Sequence, residues 1–171
     1  YDFFGREDKK TLPYTGTTKT GDYRTGVTEA TVNTYYTSTP PTGVTADAIA
    51  YTLTDFDNSP LNRVISTRGP GSDWQNNSKK SYISSFPNKD NKAAFHCTGI
   101  NMFTNYQYPP YSLYVTQEVN EQGDTLREFK DKLGQVVFKE SKVGTLWFQT
   151  QYIYDDFGLL CAVIPPNTPT I

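Results

Sequence analysis

The sequence predicts a mainly β protein, an antiparallel meander of short strands joined by D-x-x-G turns, with at most one short helix. Aromatic residues make up 15% of the 171 residues, and aromatic residues and Thr favour strands. Polar and apolar residues alternate along several short segments, which is the period of a half-buried strand. The phrase YDFFG at residues 1–5 returns as YDDFG at residues 154–158.

The repeated phrase has a core that predicts a tight turn: Asp or Asn, two variable residues, then Gly. An Asp or Asn side chain at the first position accepts a hydrogen bond from the backbone two residues on. Gly at the fourth position adopts a positive φ without a steric clash, which closes a short hairpin with a bulge. The predicted turn residues are Asp2 and Gly5, Asn120 and Gly123, Asp131 and Gly134, and Asp155 and Gly158.

The N-terminal part is the least regular. Residues 1–14 resemble half a hairpin, and a Thr-rich region follows at 15–45, with several Gly residues and a Pro pair. Such a composition is typical of irregular surface loops. Val27, Ala30, Thr34 and Tyr35 fall at helical spacing, so we predict one short helix over about 27–36.

The middle of the chain contains shorter strand signals separated by turns. Alternation predicts strands at 49–56 and 80–86, with a possible extension at 64–67 and a short apolar run at 93–97. Segments 57–64 and 68–74 are rich in Pro, Gly and Asn, which favour turns. Residues 98–110 show no clear pattern.

The clearest part is 111–164, where five strands alternate with short turns. We predict strands at 111–119, 125–130, 135–139, 145–154 and 159–164. The length of 171 residues favours one β-rich domain over residues 1–171.

Charge and hydropathy limit the classes of partner. The net charge of −2 argues against a nucleic-acid surface or a basic membrane face. No stretch approaches the ~20 apolar residues that span a bilayer. We therefore predict neither a nucleic-acid partner nor membrane insertion.

Few residues suggest chemistry. His96 precedes Cys97, but neighbours on a strand point to opposite faces and no further His or Cys supports a zinc site. Asp55, Asp57 and Asn58 lack the Gly and distal Glu of a calcium loop, so we interpret them as turn residues. Acidic pairs such as Asp155 with Asp156 are better explained as solvated charge. We predict no catalytic, metal or cofactor-binding residue.

Cys97 and Cys161 are the two cysteines, and the sequence leaves their state open. A disulfide between them would close a loop of more than sixty residues and contribute ~4 kcal/mol. Two free thiols among apolar neighbours are the other interpretation.

The aromatic residues offer an alternative function. Amphipathic rings suit the recognition of sugars or peptides, and a platform of this kind would use Trp74, Trp147, Tyr106, Tyr108 and Tyr111. We favour the simpler interpretation, in which a β domain with few aliphatic residues builds its core from aromatic ones.

Taken in order, these motifs resemble the YD repeats of bacterial Rhs-type proteins, whose signature is Y-D-x-x-G-R. YDFFGR at 1–6 matches fully, YDDFGL at 154–159 lacks the Arg, and DKLGQ at 131–135 lacks the Tyr and the Arg. SPLNRV at 59–64, GPG at 69–71, Trp74, EFKDKLG at 128–134 and IPP at 164–166 also follow an order that resembles the domain of unknown function preceding the YD-repeat shell.

The resemblance implies a structural role. Such repeats wind into a hollow β-shell, and this chain resembles the segment before the shell. We therefore expect a non-enzymatic module of a secreted or cell-surface protein, a piece of a longer chain that starts within the motif at Tyr1. The expected partner is the rest of that chain, and bare sheet edges favour self-association.

Overall fold

The computed structural model describes residues 1–16, 24–76, 79–98 and 101–166. In chain order its elements are β1 (Lys9–Thr11), α1 (Glu29–Ser38), β2 (Tyr51–Phe56), β3 (Val64–Arg68), α2 (Ser72–Asn76), β4 (Lys80–Pro87), β5 (Lys92–Thr98), β6 (Asn101–Tyr108), β7 (Tyr114–Val119), β8 (Thr125–Lys130), β9 (Val136–Val143), β10 (Leu146–Tyr154) and β11 (Leu160–Ile164). The predicted fold class, mainly β with antiparallel meander topology, is confirmed. The chain divides into two compact units, Tyr1–Tyr82 and Ile83–Ile171.

The first unit pairs β1, β2, β3 and the start of β4 as consecutive antiparallel neighbours. Helix α1 contributes Val32 and Tyr36 to a small core that also contains Ala50. The helix therefore buries an i, i+4 pair. This differs from the predicted stripe, because Val27 lies before the helix and is exposed.

Helix α1 begins two residues later than predicted because Thr28 caps it. The Thr28 Oγ1 accepts a hydrogen bond from the Thr31 N–H, and the Thr31 Oγ1 accepts one from the Thr28 N–H. This reciprocal arrangement satisfies backbone donors that the first helical turn leaves without partners. A second, five-residue helix, α2, lies in the segment that the sequence predicted to be turn-rich.

In the second unit β7 to β11 form a meander in chain order, each strand antiparallel to the next. Strands β5 and β6 form a separate two-stranded hairpin. Strand β6 lies in 98–110, where the sequence showed no pattern. Strand β7 begins at Tyr114 instead of residue 111, because Tyr111 has a φ of 63° and cannot continue a strand.

Asn88 fixes the loop before β7. It is buried, its Oδ1 accepts the Leu113 N–H at 2.8 Å, and its Nδ2 donates to the carbonyls of Asp90 and Pro109 at 2.9 and 2.8 Å. The Asn88 carbonyl also accepts the Tyr111 N–H at 2.8 Å. Every polar atom of the buried amide group therefore takes part in a hydrogen bond, as burial requires.

The core of the second unit combines aliphatic and aromatic side chains. Phe129 and Phe138 pair directly across β8 and β9, and their rings meet edge to face with centroids 6.1 Å apart. The buried members of this cluster are Ala94, Leu113, Val115, Phe129, Val137 and Phe138. The core thus positions the three turns that follow β7, β8 and β10.

Candidate functional site

The four D-x-x-G turns share one set of four hydrogen bonds. At Asp131 the carboxylate Oδ1 accepts the N–H groups of Leu133 and Gln135, both at 2.9 Å. The Asp131 carbonyl accepts the Gly134 N–H at 3.1 Å, and the Asp131 N–H donates to the Gln135 carbonyl at 3.0 Å. The corresponding bonds of the turns starting at Asp2, Asn120 and Asp155 measure 2.8–3.0 Å.

The turns also agree in backbone conformation. Their glycines, Gly5, Gly123, Gly134 and Gly158, have φ values between 75° and 89°. Asn120 makes the same contacts as the three Asp residues, so the turn needs an oxygen acceptor at this position and does not need a charge. The role of the arrangement is structural, because the Oδ1 atom of each Asp or Asn accepts its hydrogen bonds from the backbone of its own turn.

Arg6, the residue after the first turn glycine, connects that turn to a distant loop. Its Nε donates to the Asp2 Oδ2 at 2.6 Å, and its Nη1 donates to the carbonyls of Asp57 and Ser59 at 3.1 and 3.4 Å. Burial acts to raise the pKa of Asp2, but hydrogen bonds from Arg6 and Phe4 outweigh it and hold the pKa below its usual value. The Arg of the signature therefore holds the turn against the loop after β2.

Gln135 occupies the same position after Gly134 and also reaches a neighbouring segment. Its Nε2 donates to the Gly158 carbonyl at 3.0 Å, which joins two of the turns. A Cβ added at Gly158 would lie 2.9 Å from that Nε2. The corresponding residue of the last turn is Leu159, whose side chain is exposed.

Strand β11 is an edge of the meander within the second unit. Its only strand partner among the described residues is β10, which it pairs from Gln151 and Ile164 to Tyr154 and Leu160. Large apolar side chains stand exposed on it and on the turn before it: Phe157 90%, Leu159 66%, Leu160 52% and Val163 47%. Alternate backbone N–H and C=O groups of such an edge have no partner within the sheet.

A cleft of about 640 Å³ opens in the second unit. The Arg127 guanidinium lies 4.4 Å from the centre of the Trp147 ring and 3.8 Å from Glu140. Lys92 forms a short ion pair with Glu140 and covers the Phe129 ring at 4.4 Å. The cleft therefore combines aromatic surface with charged groups that already pair with one another.

The five residues of the hypothetical aromatic platform have different surroundings. Tyr106 and Tyr108 meet edge to face at 4.9 Å, and Tyr108 packs against the core, where burial raises its pKa to about 12. Trp147 lines the cleft, and Tyr111 is exposed in the loop before β7. Trp74 belongs to α2 in the first unit, where Lys79 lies 5.3 Å from its ring.

Arginine side chains pair with the acidic residues considered for calcium. Arg68 Nη2 donates to the Asp55 Oδ2 at 2.8 Å, and Arg63 Nε donates to the Asp57 Oδ2 at 2.7 Å. Within the described ranges, no group of three or more His, Cys, Asp or Glu side chains is arranged to hold a metal ion. The same residues include no helix long and apolar enough to cross a membrane.

His96 and the cysteines lie in the second unit. The His96 Nε2 is 3.2 Å from the Asp156 Oδ1, in an exposed contact. Cys97 is buried and Cys161 is exposed, and both are free thiols.

Comparison with known protein families matches residues 1–86 to a family described as Domain of unknown function (DUF6443). No curated protein matches the chain, and no solved structure does. The matched segment holds the whole first unit, including the Asp2 turn and Arg6. Because the match spans half of the 171 residues, this chain belongs to the DUF6443 family.

Proposed function

We propose that this chain is a non-enzymatic structural module of a secreted or cell-surface YD-repeat protein of the bacterial Rhs type, in which it helps to form or cap a β-shell. The observation that carries the proposal is the shared geometry of the four turns, including the two whose sequences have diverged most. Asp155, which could be taken for a reactive carboxylate in the sequence, accepts hydrogen bonds from the backbone of its own turn. The location outside the cell rests on the sequence resemblance.

The distribution of the turns supports a module in which a specialised region precedes repeats. The family match ends at residue 86, and three of the four turns begin at Asn120, Asp131 and Asp155. The residues after the turn glycines, Arg6 and Gln135, attach each turn to a neighbouring segment. Repeats of this kind are stabilised by contacts with their neighbours along the chain.

Within this proposal β11 receives the next strand of the larger protein. Among the described residues β10 is the one partner of this strand, which carries exposed Leu160 and Val163. Pairing would satisfy the outward backbone groups and cover part of these side chains, which stabilises by roughly 25 cal/mol per Å² of apolar surface removed from water.

Hydrogen–deuterium exchange tests this role. The outward-facing β11 amides, which do not bond to β10, should exchange rapidly in the isolated chain and at least about tenfold more slowly in the full-length parent protein, because a new strand would protect them. The β8 amides, which lie between β7 and β9, are the internal control. Equal exchange of β11 in both proteins would refute the proposed pairing.

The same edge predicts self-association of the isolated chain. Val163→Lys places a charge on the edge strand and should reduce association measured by light scattering across concentrations. Val143→Lys is the matched control, since Val143 is also exposed but lies on β9, which is paired on both sides. A wild-type chain that stays monomeric at all concentrations contradicts the expectation.

A second candidate function is the binding of an extracellular glycan or peptide. The cleft beside Trp147 favours it, because an aromatic ring framed by Arg127 and Glu140 suits an amphipathic ligand. A glycan array and a peptide library would provide the test. Binding that Trp147→Ala abolishes and Trp74→Ala leaves unchanged supports it, and the absence of any hit removes it.

A further inference from the structure

The two cysteines lie at irregular points of their strands. In the hairpin of β5 and β6, the register shifts between His96 and Cys97. In the pairing of β10 with β11, Ala162 and Leu160 have partners while Cys161, between them, is skipped at a register shift. Cys97 itself keeps a partner, Met102, whereas Cys161 is the extra residue of its bulge, outside the ladder, and its side chain departs from the regular alternation.

Two contacts link β5 to positions near either end of β11. The Gln151 Nε2 donates to the Phe95 carbonyl at 3.3 Å, and Gln151 is itself paired with Ile164 of β11. His96 contacts Asp156 at 3.2 Å, in the turn that leads into β11. Along the chain Cys161 lies between Asp156 and Ile164, and Cys97 directly follows His96.

The pKa of the Cys161 thiol responds to the neighbouring Cys97. A hydrogen bond with the Cys97 thiol is the largest of the causes that raise the pKa of Cys161 to about 11. Cys97 is buried and Cys161 is exposed, so a reagent in solution reaches Cys161 first. The exposed thiol is therefore placed to form a mixed disulfide with a small disulfide, and the buried thiol to resolve it.

We propose that Cys97 and Cys161 form a dithiol site that closes to an intramolecular disulfide, with a low-molecular-weight disulfide as the oxidant. The Cys161 thiolate attacks one sulfur of that disulfide, forms a mixed disulfide and releases one small thiol. The Cys97 thiolate then attacks the Cys161 sulfur and displaces the second small thiol. Two protein S–H bonds are replaced by one S–S bond, and the two protons and two electrons end on the two small thiols.

The disulfide would fasten the hairpin of β5 and β6 to the edge strand β11. In the reduced chain this attachment depends on hydrogen bonds such as that between Gln151 and Phe95. The cross-link closes a long loop, which disfavours the unfolded chain. The proposal is independent of the proposed function, because it needs only the geometry of the second unit.

The test incubates the folded, reduced wild-type chain with oxidised glutathione at about pH 9, where more of the Cys161 thiol is ionised. After acid quenching, mass spectrometry should show the loss of two hydrogens and no retained glutathione, and maleimide labelling should find no free thiol. The Tm of the oxidised chain should exceed that of the reduced chain by roughly 10 °C. Oxidation in strong urea should be at least about tenfold slower, because unfolding separates the thiols.

Cys161→Ser is the matched control, since the serine replaces an exposed side chain and should leave the fold intact. Its Tm should not respond to the oxidant. In the wild-type chain, glutathione retained on Cys161 with Cys97 still free would overturn the proposal. Disulfide-linked dimers as the sole product would overturn it as well, because they would show that the two thiols of one chain do not meet.

Discussion

Replacing Gly158 by Ala tests both the turn geometry and the contact between neighbouring turns. Gly134 and Gly158 occupy equivalent turn positions and have nearly equal φ values, 82° and 81°. A Cβ at Gly134 would have no heavy atom within 4 Å, while one at Gly158 would lie 2.9 Å from the Gln135 Nε2. Gly134→Ala is therefore a control that changes the backbone preference and adds no contact.

The expected magnitudes follow from the backbone preference at positive φ and from the contact of the added Cβ with Gln135. An Ala held at positive φ costs about 1–2 kcal/mol relative to Gly, and this term should be common to both variants. At Gly158 the Gln135 amide must also move, and its hydrogen bond to the Gly158 carbonyl, about 1 kcal/mol, is lost. We expect Gly158→Ala to lower the free energy of unfolding by about 1 kcal/mol more than Gly134→Ala.

Urea unfolding of the two single variants, repeated in a Gln135→Ala background, measures the difference. In that background Gly158→Ala and Gly134→Ala should cost the same, since the amide that distinguishes them is gone. A difference that persists without Gln135 would refute the assigned contact. A neutral Gly134→Ala would refute the requirement for glycine in the turn.

Three further predictions concern two of the turns and one ion pair in the sheet of the second unit. Asp131→Ala should lower the free energy of unfolding by about 1–2 kcal/mol, because two N–H groups lose their acceptor, while Asp131→Asn should stay close to wild type, as Asn120 fills the same role. The hydrogen bond to Lys139 lowers the pKa of Glu128, so this ion pair stabilises the folded chain at pH values above the ordinary glutamate pKa. The stabilisation is lost as the pH falls through the lowered pKa of Glu128. A plot of Tm against pH should therefore be flatter below about pH 5 for Glu128→Gln, and identical curves contradict this. Arg6→Lys should cost about 1 kcal/mol or more in urea unfolding, since one ammonium cannot replace a guanidinium bonded to three oxygens, and a neutral result would remove Arg6 as a connector.

Local rules made the meander of the second unit predictable. Alternating residues set the faces of β8, β9 and β10, and each D-x-x-G segment sets the hairpin between its strands. The turn at Asn120 shows how far this reasoning extends. Its sequence departs most from the repeat, yet it makes the same hydrogen bonds as the other turns. Chemistry that acts within five residues can be deduced from the sequence alone.

Features that depend on distant residues could not be predicted in this way. The buried face of α1 is set by Ala50, so its Val32 and Tyr36 replace the stripe expected from spacing. Strand β6 has little alternation of its own and is defined by pairing with β5. Tyr111 takes a positive φ in a loop where its N–H bonds to the Asn88 carbonyl, 23 residues earlier in the chain.

The same distinction between local features and contacts of distant residues applies to the candidate site. The acceptor and glycine of each turn follow from turn chemistry, but the contact of Gln135 with Gly158 joins positions 23 residues apart. The signal that the sequence offered was the position of Arg6 in the Y-D-x-x-G-R signature. Its carbonyl partners at Asp57 and Ser59 lie too far along the chain to be read from the motif.

At two of the four turns the residue after the glycine gives the repeat an adjustable lateral connection. The backbone of the turn closes on itself, so this side chain is free to vary without damage to the hairpin: Arg6 reaches two carbonyls, Gln135 reaches one, and Leu159 offers an exposed apolar surface instead. A chain built on this plan can diverge at one position in five and still keep every hairpin, while the identity of that one residue selects which neighbour the hairpin joins. Substitutions that exchange these residues between turns would therefore alter the attachment of strands without altering the strands themselves.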